Sequence, residues 1–403
     1  MAPGDQAFKR YLVLWTALVV IVALPFTVNY IFLMRAHELS PYASIIKDQF
    51  ARQGIFGSAL NGNDLKYKLE LIRHVRPEIV AIGSSRAMNV RGLPFTRPFI
   101  NAGGVSSNLL ESETFVGEML KFHQPKLVMY FVDYWWFNAQ SEQTSNRYLI
   151  DETSLSYAKL TAPFTWLRES KISWDLYRDV LLHGRHDNPY TRVETLGVFA
   201  IEHAIGYRTD GSFFHSRGLK RHEGVLRYYW DHLESIGKGA HDRANLGLGN
   251  FVDEGNARRY LSILDRLKQR GVQVIVVLPP VAPQYLKAIR AYSKEPYVVP
   301  LVARLREDAA PLYDFTDFRI PESIDCEFTD AYHPGDTLSM RLLKAILERT
   351  PDSPLRAYVD SAKLDDYIGR FPGRTLILEP ASMYKAREFD FLGLGCRKDA
   401  AGA

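Results

Sequence analysis

Hydrophobic and polar positions alternate in clearly different ways along the chain. From Tyr11 to Met34 there is no charged side chain, in the run YLVLWTALVVIVALPFTVNYIFLM. As a helix this run is about 36 Å long, enough to cross a hydrocarbon core of about 30 Å. Lys9 and Arg10 stand before it and Arg35 closes it. The positive charge on the N-terminal side predicts that this end stays in the cytoplasm. No small-x-small cleavage site follows, which predicts an uncleaved signal-anchor. A buried core helix rarely runs this long without a charge. No later segment is comparably long and apolar, so the expectation is a single pass through the inner (cytoplasmic) membrane, with the body in the periplasm or extracytoplasmic space.

Beyond the anchor, residues 36–76 read as polar helices and loops. Short apolar runs then alternate with amphipathic stretches. PEIVAIGSSR ends an apolar run at Gly83, PFINAGG follows at 98–104, and KLVMYFVDYWWF begins at Lys126 after the helical pattern NLLESETFVGEMLKFH. Downstream, NARRYLSILDRLKQRG has helical spacing and stops at Gly271, and VQVIVVLPP is the clearest central strand. LVARLRED reads as helix, PLYDFTD as strand and DTLSMRLLKAILER as a closing helix. Continuous apolar strands alternating with helices predict a parallel sheet covered on both faces. Between Asn138 and Phe251 the rhythm stops. This stretch, rich in Tyr, Trp, His and Arg, predicts a long insertion over the carboxyl rim of the sheet, where open α/β sheets bind ligands. RTLILEP, late in the chain, has the composition of one more edge strand.

Composition narrows the chemistry. The 403 residues carry a formal charge of +4, without a basic stripe, which argues against nucleic acid as a partner. Only Cys326 and Cys396 are present, too few for a disulfide scaffold or a zinc module, and the sequence leaves open whether they pair. His183 and His186 in HGRHD lack further metal ligands nearby and read as surface histidines. Neither a metal nor a cofactor is called for.

Two short motifs carry candidate chemistry. Ser85, in GSSR at 83–86, falls at the carboxyl end of the first strand, exposed and flanked by backbone N–H groups suited to an oxyanion. An ordinary tight turn or helix cap would look the same. In FTDAYHPGD, Asp330 and His333 are three apart. On a tight loop this spacing lets a carboxylate fix an imidazole whose other nitrogen serves as base, although an Asp cap beside an exposed His has the same pattern. Both motifs fall on the same rim of the predicted sheet, which joins them into one site.

The blocks Gly83-Ser84-Ser85, Asn101-Ala102-Gly103-Gly104-Val105-Ser106, Asp133 and Asp330-Ala331-Tyr332-His333 resemble the SGNH (GDSL-type) hydrolase superfamily, over roughly 77–136 and 256–348. The resemblance implies Ser85 as nucleophile, His333 as general base and Asp330 as its orienter. It puts oxyanion donors at Ser85 and at Ser106, with Gly103 and Gly104 beside it. Where the superfamily usually has an oxyanion Asn, this chain has Asp133, which would repel a developing oxyanion if ionised and free. With the anchor, the chain looks like the membrane-anchored proteins of alginate and cellulose O-acetylation, and like the D-alanyl transfer protein of lipoteichoic acid modification. That likeness implies transfer of acyl groups through an acyl-Ser85 to an envelope polysaccharide, with a membrane-bound O-acyltransferase as partner and the insertion excluding water.

The remaining candidates weigh less. Arg86 could attract an anionic polymer or merely sit at the helix surface, and Tyr134, Trp135 and Trp136 could stack on sugars, although aromatic residues at a strand end are more often core. Tyr207, Asp210, Phe213, Phe214 and His215 fit either a substrate contact or a hairpin turn. The expected fold class is therefore α/β: a flavodoxin-like three-layer sandwich with a parallel sheet, SGNH-like, after one transmembrane helix. The segments expected are a cytoplasmic 1–10, the anchor 11–34, a connector 35–76, the α/β domain 77–350 with its insertion at about 138–251, and a C-terminal extension 351–403. The function expected is an acyltransferase or esterase, with a catalytically silent glycan-binding or scaffolding accessory protein as the alternative.

Overall fold

In the computed structural model the residues described are 3–60, 64–138, 152–219, 252–292, 298–306, 310–316, 325–396 and 398. They form two compact units, one of 1–62, 151–188 and 194–206, the other of 63–150, 189–193 and 207–403. The expected insertion is thus shared between them, and its residues 139–151 and 220–251 lie outside the described residues. The helix Asp64–Val75, at the end of the expected connector, belongs to the larger unit.

The larger unit is α/β. Its sheet contains β1 (Ile79–Gly83), β2 (Phe99–Gly103), β3 (Leu127–Phe131), β4 (Gln273–Leu278) and β5 (Leu312–Asp314), all parallel, in the order 2-1-3-4-5. In β1, β2 and β3 every residue is buried, as a sheet covered on both faces requires. On one face Ile79, Ala81, Met129 and Val277 pack with Met340, Leu343 and Ile346 of the helix Asp336–Arg349. On the other, Tyr130 stacks on Tyr260 of the helix Glu254–Gln269. Local signals set the helix ends. Asn108 caps Leu109–Leu120 by accepting from the N–H of Glu111 at 2.9 Å, and Glu111 reaches back to the N–H of Ser107. The strand order reverses between β1 and β3, and the loops leaving those two strands flank the crevice.

The C-terminal extension is part of this core. Leu355, Val359, Leu364, Phe371 and Ile377 are buried in the same cluster as the sheet. RTLILEP forms no strand; the N–H of Thr375 and Leu376 go instead to the Glu388 carboxylate and that of Ile377 to Asp336. Its backbone groups are satisfied by buried carboxylates, a partnership that an edge-strand composition does not reveal. A disulfide joins Cys326 to Cys396, settling the pairing that the sequence left open.

The smaller unit contains the helix Pro3–Arg35, whose span Phe8–Arg35 is long and apolar enough to cross a membrane. The helices Tyr157–Arg168 and Trp174–His183 pack against its C-terminal part around Phe32, Leu33, Leu176, Tyr177 and Val180. Glu38 is fully buried and accepts from the Ser58 hydroxyl at 2.5 Å and from the N–H of Ala59, Leu60 and Val198. Burial pushes its carboxyl above the usual range against the pull of those bonds.

In the larger unit, Asp336 lies fully buried between Arg91 and Arg208, 3.1 Å from each. Asp336→Ala removes the buried counter-charge that two guanidinium groups share, leaving Arg91 only its 3.5 Å pair with Asp210, and the expected loss is about 3–5 kcal/mol in urea unfolding of the detergent-solubilised chain.

Candidate functional site

The carboxyl end of β1 is shaped by Gly83, whose φ of +151° is rarely adopted by other residues; a Cβ there would sit 2.5 Å from the carbonyl of Phe131. Ser84 then caps a single 3-10 turn, Ser85–Ala87, by accepting from the N–H of Arg86. This places Ser85 outward and exposed while Arg86 and Ala87 go inward. Asn101 on β2 clips the turn from beneath, donating to the carbonyls of Ala87 and Val90 at 2.8 Å.

The second half of the site is the loop from Phe328 to Pro334, whose ends form an antiparallel bridge. Within it the N–H of Thr329 donates to the carbonyl of His333 at 2.9 Å. Asp330 accepts from the N–H groups of Tyr332 and His333 and lies 2.8 Å from Nδ1 of His333. The other ring nitrogen, Nε2, is 2.8 Å from Oγ of Ser85. Burial alone would raise the Asp330 carboxyl, but the electrostatic attraction of the neighbouring His333 ring and the hydrogen bonds from that ring and from the two N–H groups outweigh it. The carboxyl is therefore held well below the usual carboxylate range. Ser85, His333 and Asp330 thus form a continuous hydrogen-bonded chain from an exposed hydroxyl to an ionised acid. Such a chain can draw a proton from the hydroxyl and stabilise the imidazolium that results.

Several expected roles change. The N–H of Gly104 donates to the carbonyls of Gly83 and Ser84, and that of Gly103 to Oδ1 of Asn101, so neither is free for an oxyanion. These bonds hold the β2 exit against the Ser85 turn. At Gly103 a Cβ would lie 2.7 Å from the Met88 nitrogen, which explains the glycine. Ser106 is buried, and no hydrogen bond engages its N–H or that of Ser85 among the described residues. Asp133, buried, is an acceptor: its Oδ1 takes the Arg86 guanidinium at 2.9 Å, and the Ser84 hydroxyl also bonds to it. Burial pushes its carboxyl upward while Arg86 and Ser84 oppose the shift.

Arg86 is not a surface residue awaiting an anionic polymer. It is 2% exposed, and besides Asp133 it donates to the carbonyls of Pro279 and Pro280 at 2.6 Å and of Tyr332 at 3.2 Å. One side chain thus joins the exits of β1, β3 and β4 to the Asp330–His333 loop. Of the aromatic run, Tyr134 and Trp136 are buried and only Trp135 is partly exposed, its ring 5.0 Å from the Arg86 guanidinium and 6.3 Å from the Tyr332 ring. The 3-10 turn Tyr134–Phe137 turns the other rings into the core.

Asp210 and Phe213 act on the backbone beside the site. The carbonyl of Asp210 accepts from the N–H of Asn101, its carboxylate from that of Gly92, and the N–H of Phe213 donates to the carbonyl of Met88. Tyr207 stacks on Tyr67, Phe214 is fully buried and His215 nearly so. In the smaller unit, His186 pairs with Asp179 at 2.9 Å, while His183 ends the helix Trp174–His183.

The supporting residues carry almost no signature in the sequence. Asn89 donates to the carbonyl of Pro334 at 2.6 Å, and Tyr285 bonds through its hydroxyl to Tyr332. Cys326 ties the approach to the Asp330 loop to the chain end, and Lys398 donates to the Cys326 carbonyl at 2.9 Å. The adjacency of Arg86 to Ser85 was the one sequence signal for this support. The rest comes from tertiary contacts. Comparison with protein-family models and with curated proteins finds no match.

Because Arg86 serves four acceptors in a fork geometry, lysine cannot replace it. Arg86→Lys is expected to lower stability by about 2 kcal/mol or more in urea unfolding.

Proposed function

We propose that this chain is a membrane-anchored, extracytoplasmic SGNH-like acyltransferase or esterase, acting on O-acyl groups of a cell-envelope polysaccharide. The observation that carries the reading is the chain of 2.8 Å contacts from Ser85 Oγ through His333 to Asp330. Its place beyond β1 and β3, at the point where the strand order reverses, supports it further. The apolar helix Phe8–Arg35 supports the anchor.

In this reading Ser85 Oγ attacks the acyl carbonyl as His333 Nε2 takes its proton. The tetrahedral oxyanion is met by the N–H groups of Ser85 and Ser106. Collapse breaks the ester bond, and His333 returns the proton to the departing alcohol oxygen, leaving acyl-Ser85. A sugar hydroxyl, or water, then gives its proton to His333 as it attacks the acyl carbon, and Ser85 recovers its own. Asp330 keeps the imidazole oriented and balances its charge throughout. Asp133 does not oppose the oxyanion here, because its carboxylate faces the Arg86 guanidinium. The polymer class, the periplasmic location and a membrane-bound O-acyltransferase partner follow from the resemblance to O-acetylation and D-alanyl transfer proteins.

One observation favours the accessory reading. Asp133 accepts where an oxyanion site would use a donor, and the Gly103 and Gly104 N–H groups are committed elsewhere. Incubation of the full chain with p-nitrophenyl acetate, followed by intact-mass measurement, separates the two. The catalytic reading expects a covalent acetyl adduct that Ser85→Ala lacks, with p-nitrophenol release reduced by about 10³-fold or more in the variant. Faster adduct loss with an oligosaccharide acceptor indicates transfer, and equal loss in buffer indicates an esterase. No adduct, with identical rates for both proteins, leaves the accessory reading.

A further inference from the structure

Among the described residues, seven large apolar side chains outside the anchor helix are exposed: Leu155, Tyr157, Phe164, Trp174, Leu182, Phe199 and Phe389. All but Phe389 lie in the smaller unit, and four of them lie on the helices Tyr157–Arg168 and Trp174–His183. Tyr157 is 74% exposed, Trp174 71% and Leu182 61%. Soluble surfaces seldom gather such side chains in one place.

The contacts of these helices fix their height along the anchor. The Tyr157 ring lies 5.9 Å from that of Phe26. Asn29 donates to the carbonyl of Leu160 at 2.7 Å and accepts from the Tyr177 hydroxyl at 2.7 Å. The Tyr177 ring stacks on Phe32, and Trp174 meets Tyr177 edge-on. If the hydrocarbon begins at Tyr11, just past Lys9 and Arg10, a rise of 1.5 Å per residue puts Phe26 about 8 Å inside the far boundary of a 30 Å core. Asn29 lies about 3 Å inside that boundary, and Phe32 lies on it. The N-terminal part of the anchor is bare. The helical pair therefore surrounds only the last turns of the span, at the depth where amphipathic helices rest at the boundary between headgroups and acyl chains.

We propose that Tyr157–Arg168 and Trp174–His183 are immersed in the same leaflet as the C-terminal end of the anchor, their exposed aromatic and aliphatic side chains packed among lipid acyl chains. The partner is the bilayer itself, because exposed Tyr157 rests on Phe26 of the helix that crosses it. Asn29 makes this arrangement tolerable within the span: a polar side chain that would be costly in lipid has both ends of its amide satisfied by the two helices. Trp174 and Tyr157 are of the type that settles at such boundaries, with an apolar body and a polar tip. This inference rests on the anchor reading.

Both native cysteines are in the disulfide, so an introduced cysteine is the sole free thiol. Full-length variants Leu14→Cys, Tyr157→Cys, Trp174→Cys, Leu182→Cys and Lys363→Cys, each carrying a polarity-sensitive fluorophore, would be reconstituted in phosphatidylcholine vesicles. Quenching by nitroxide-labelled lipid would be compared with quenching by aqueous iodide. Labels at 157 and 174 are expected to behave like that at 14, quenched several-fold more by lipid nitroxide, that at 182 to be quenched less by lipid because Arg35, past the end of the span, holds the neighbouring Leu181 carbonyl, and that at 363 to show the reverse. Iodide quenching at 157 and 174 with lipid quenching kept at 14 would overturn the immersion and leave the anchor standing. Protection from both quenchers would assign the patch to a protein partner or a second copy, and would equally overturn it. Failure of lipid quenching at 14 would remove the anchor reading and this inference with it.

Discussion

The Arg86 guanidinium is the interaction on which the rest of the site depends. It reaches from the turn after β1 to the Asp133 carboxylate after β3, to two carbonyls after β4 and to the Tyr332 carbonyl beside His333. Separate loops leaving a parallel sheet have no backbone ladder to hold them together. A planar cation with several donors supplies that missing order, and burial makes its bonds strict, since an unpaired charge at 2% exposure is very costly. Ser85 projects outward because its neighbour is drawn inward. The distance from Ser85 to His333 is therefore set by the residue next to the serine.

The same device recurs at both ends of the Asp330–His333 loop. Glu327, before it, is fully buried against Arg341 at 2.9 Å, and Asp336, after it, is fully buried between Arg91 and Arg208. The Cys326–Cys396 disulfide lies one residue outside the first of these pairs. Buried ion pairs are weak sources of net stability, because desolvation offsets most of their attraction. Their value lies in direction: each acid has few geometries in which its charge is met, and so the loop between them has few conformations. A base that must lie within hydrogen-bond reach of a hydroxyl benefits from that restriction more than from added stability.

The sequence showed the periodic elements and the two short motifs. Apolar runs ending at Gly83, Phe131 and Leu278 became the buried strands that their composition indicated, and the spacing of Asp330 to His333 became the contact that it suggested. What the sequence concealed were partnerships between residues far apart in it. Arg86 read as a surface cation because nothing local showed that Asp133 and three carbonyls awaited it. RTLILEP read as a strand because its apolar alternation was visible, while the carboxylates of Glu388 and Asp336 that take its N–H groups stand elsewhere. Gly103 and Gly104 read as oxyanion candidates because they stand in the block where the resembled superfamily has a donor glycine, yet the N–H of Gly103 goes to Asn101 and that of Gly104 docks the β2 exit onto the serine turn.

Asp133 is best understood through its partner. Considered alone, a carboxylate facing a developing oxyanion is an obstacle, and the sequence gives no reason for it to be there. Beside Arg86 it becomes half of a buried pair whose other half holds the rim together, and an asparagine there would leave the guanidinium without its counter-charge. Acidic character at 133 and a basic residue at 86 thus answer one requirement, the ordering of the loops around Ser85. In the proposed reaction, transition-state charge would then be met by backbone N–H groups, those of Ser85 and Ser106. Backbone donors held in place by a buried ionic frame need no reorganisation as charge develops, and in that respect the frame can supply what the missing side-chain donor does not.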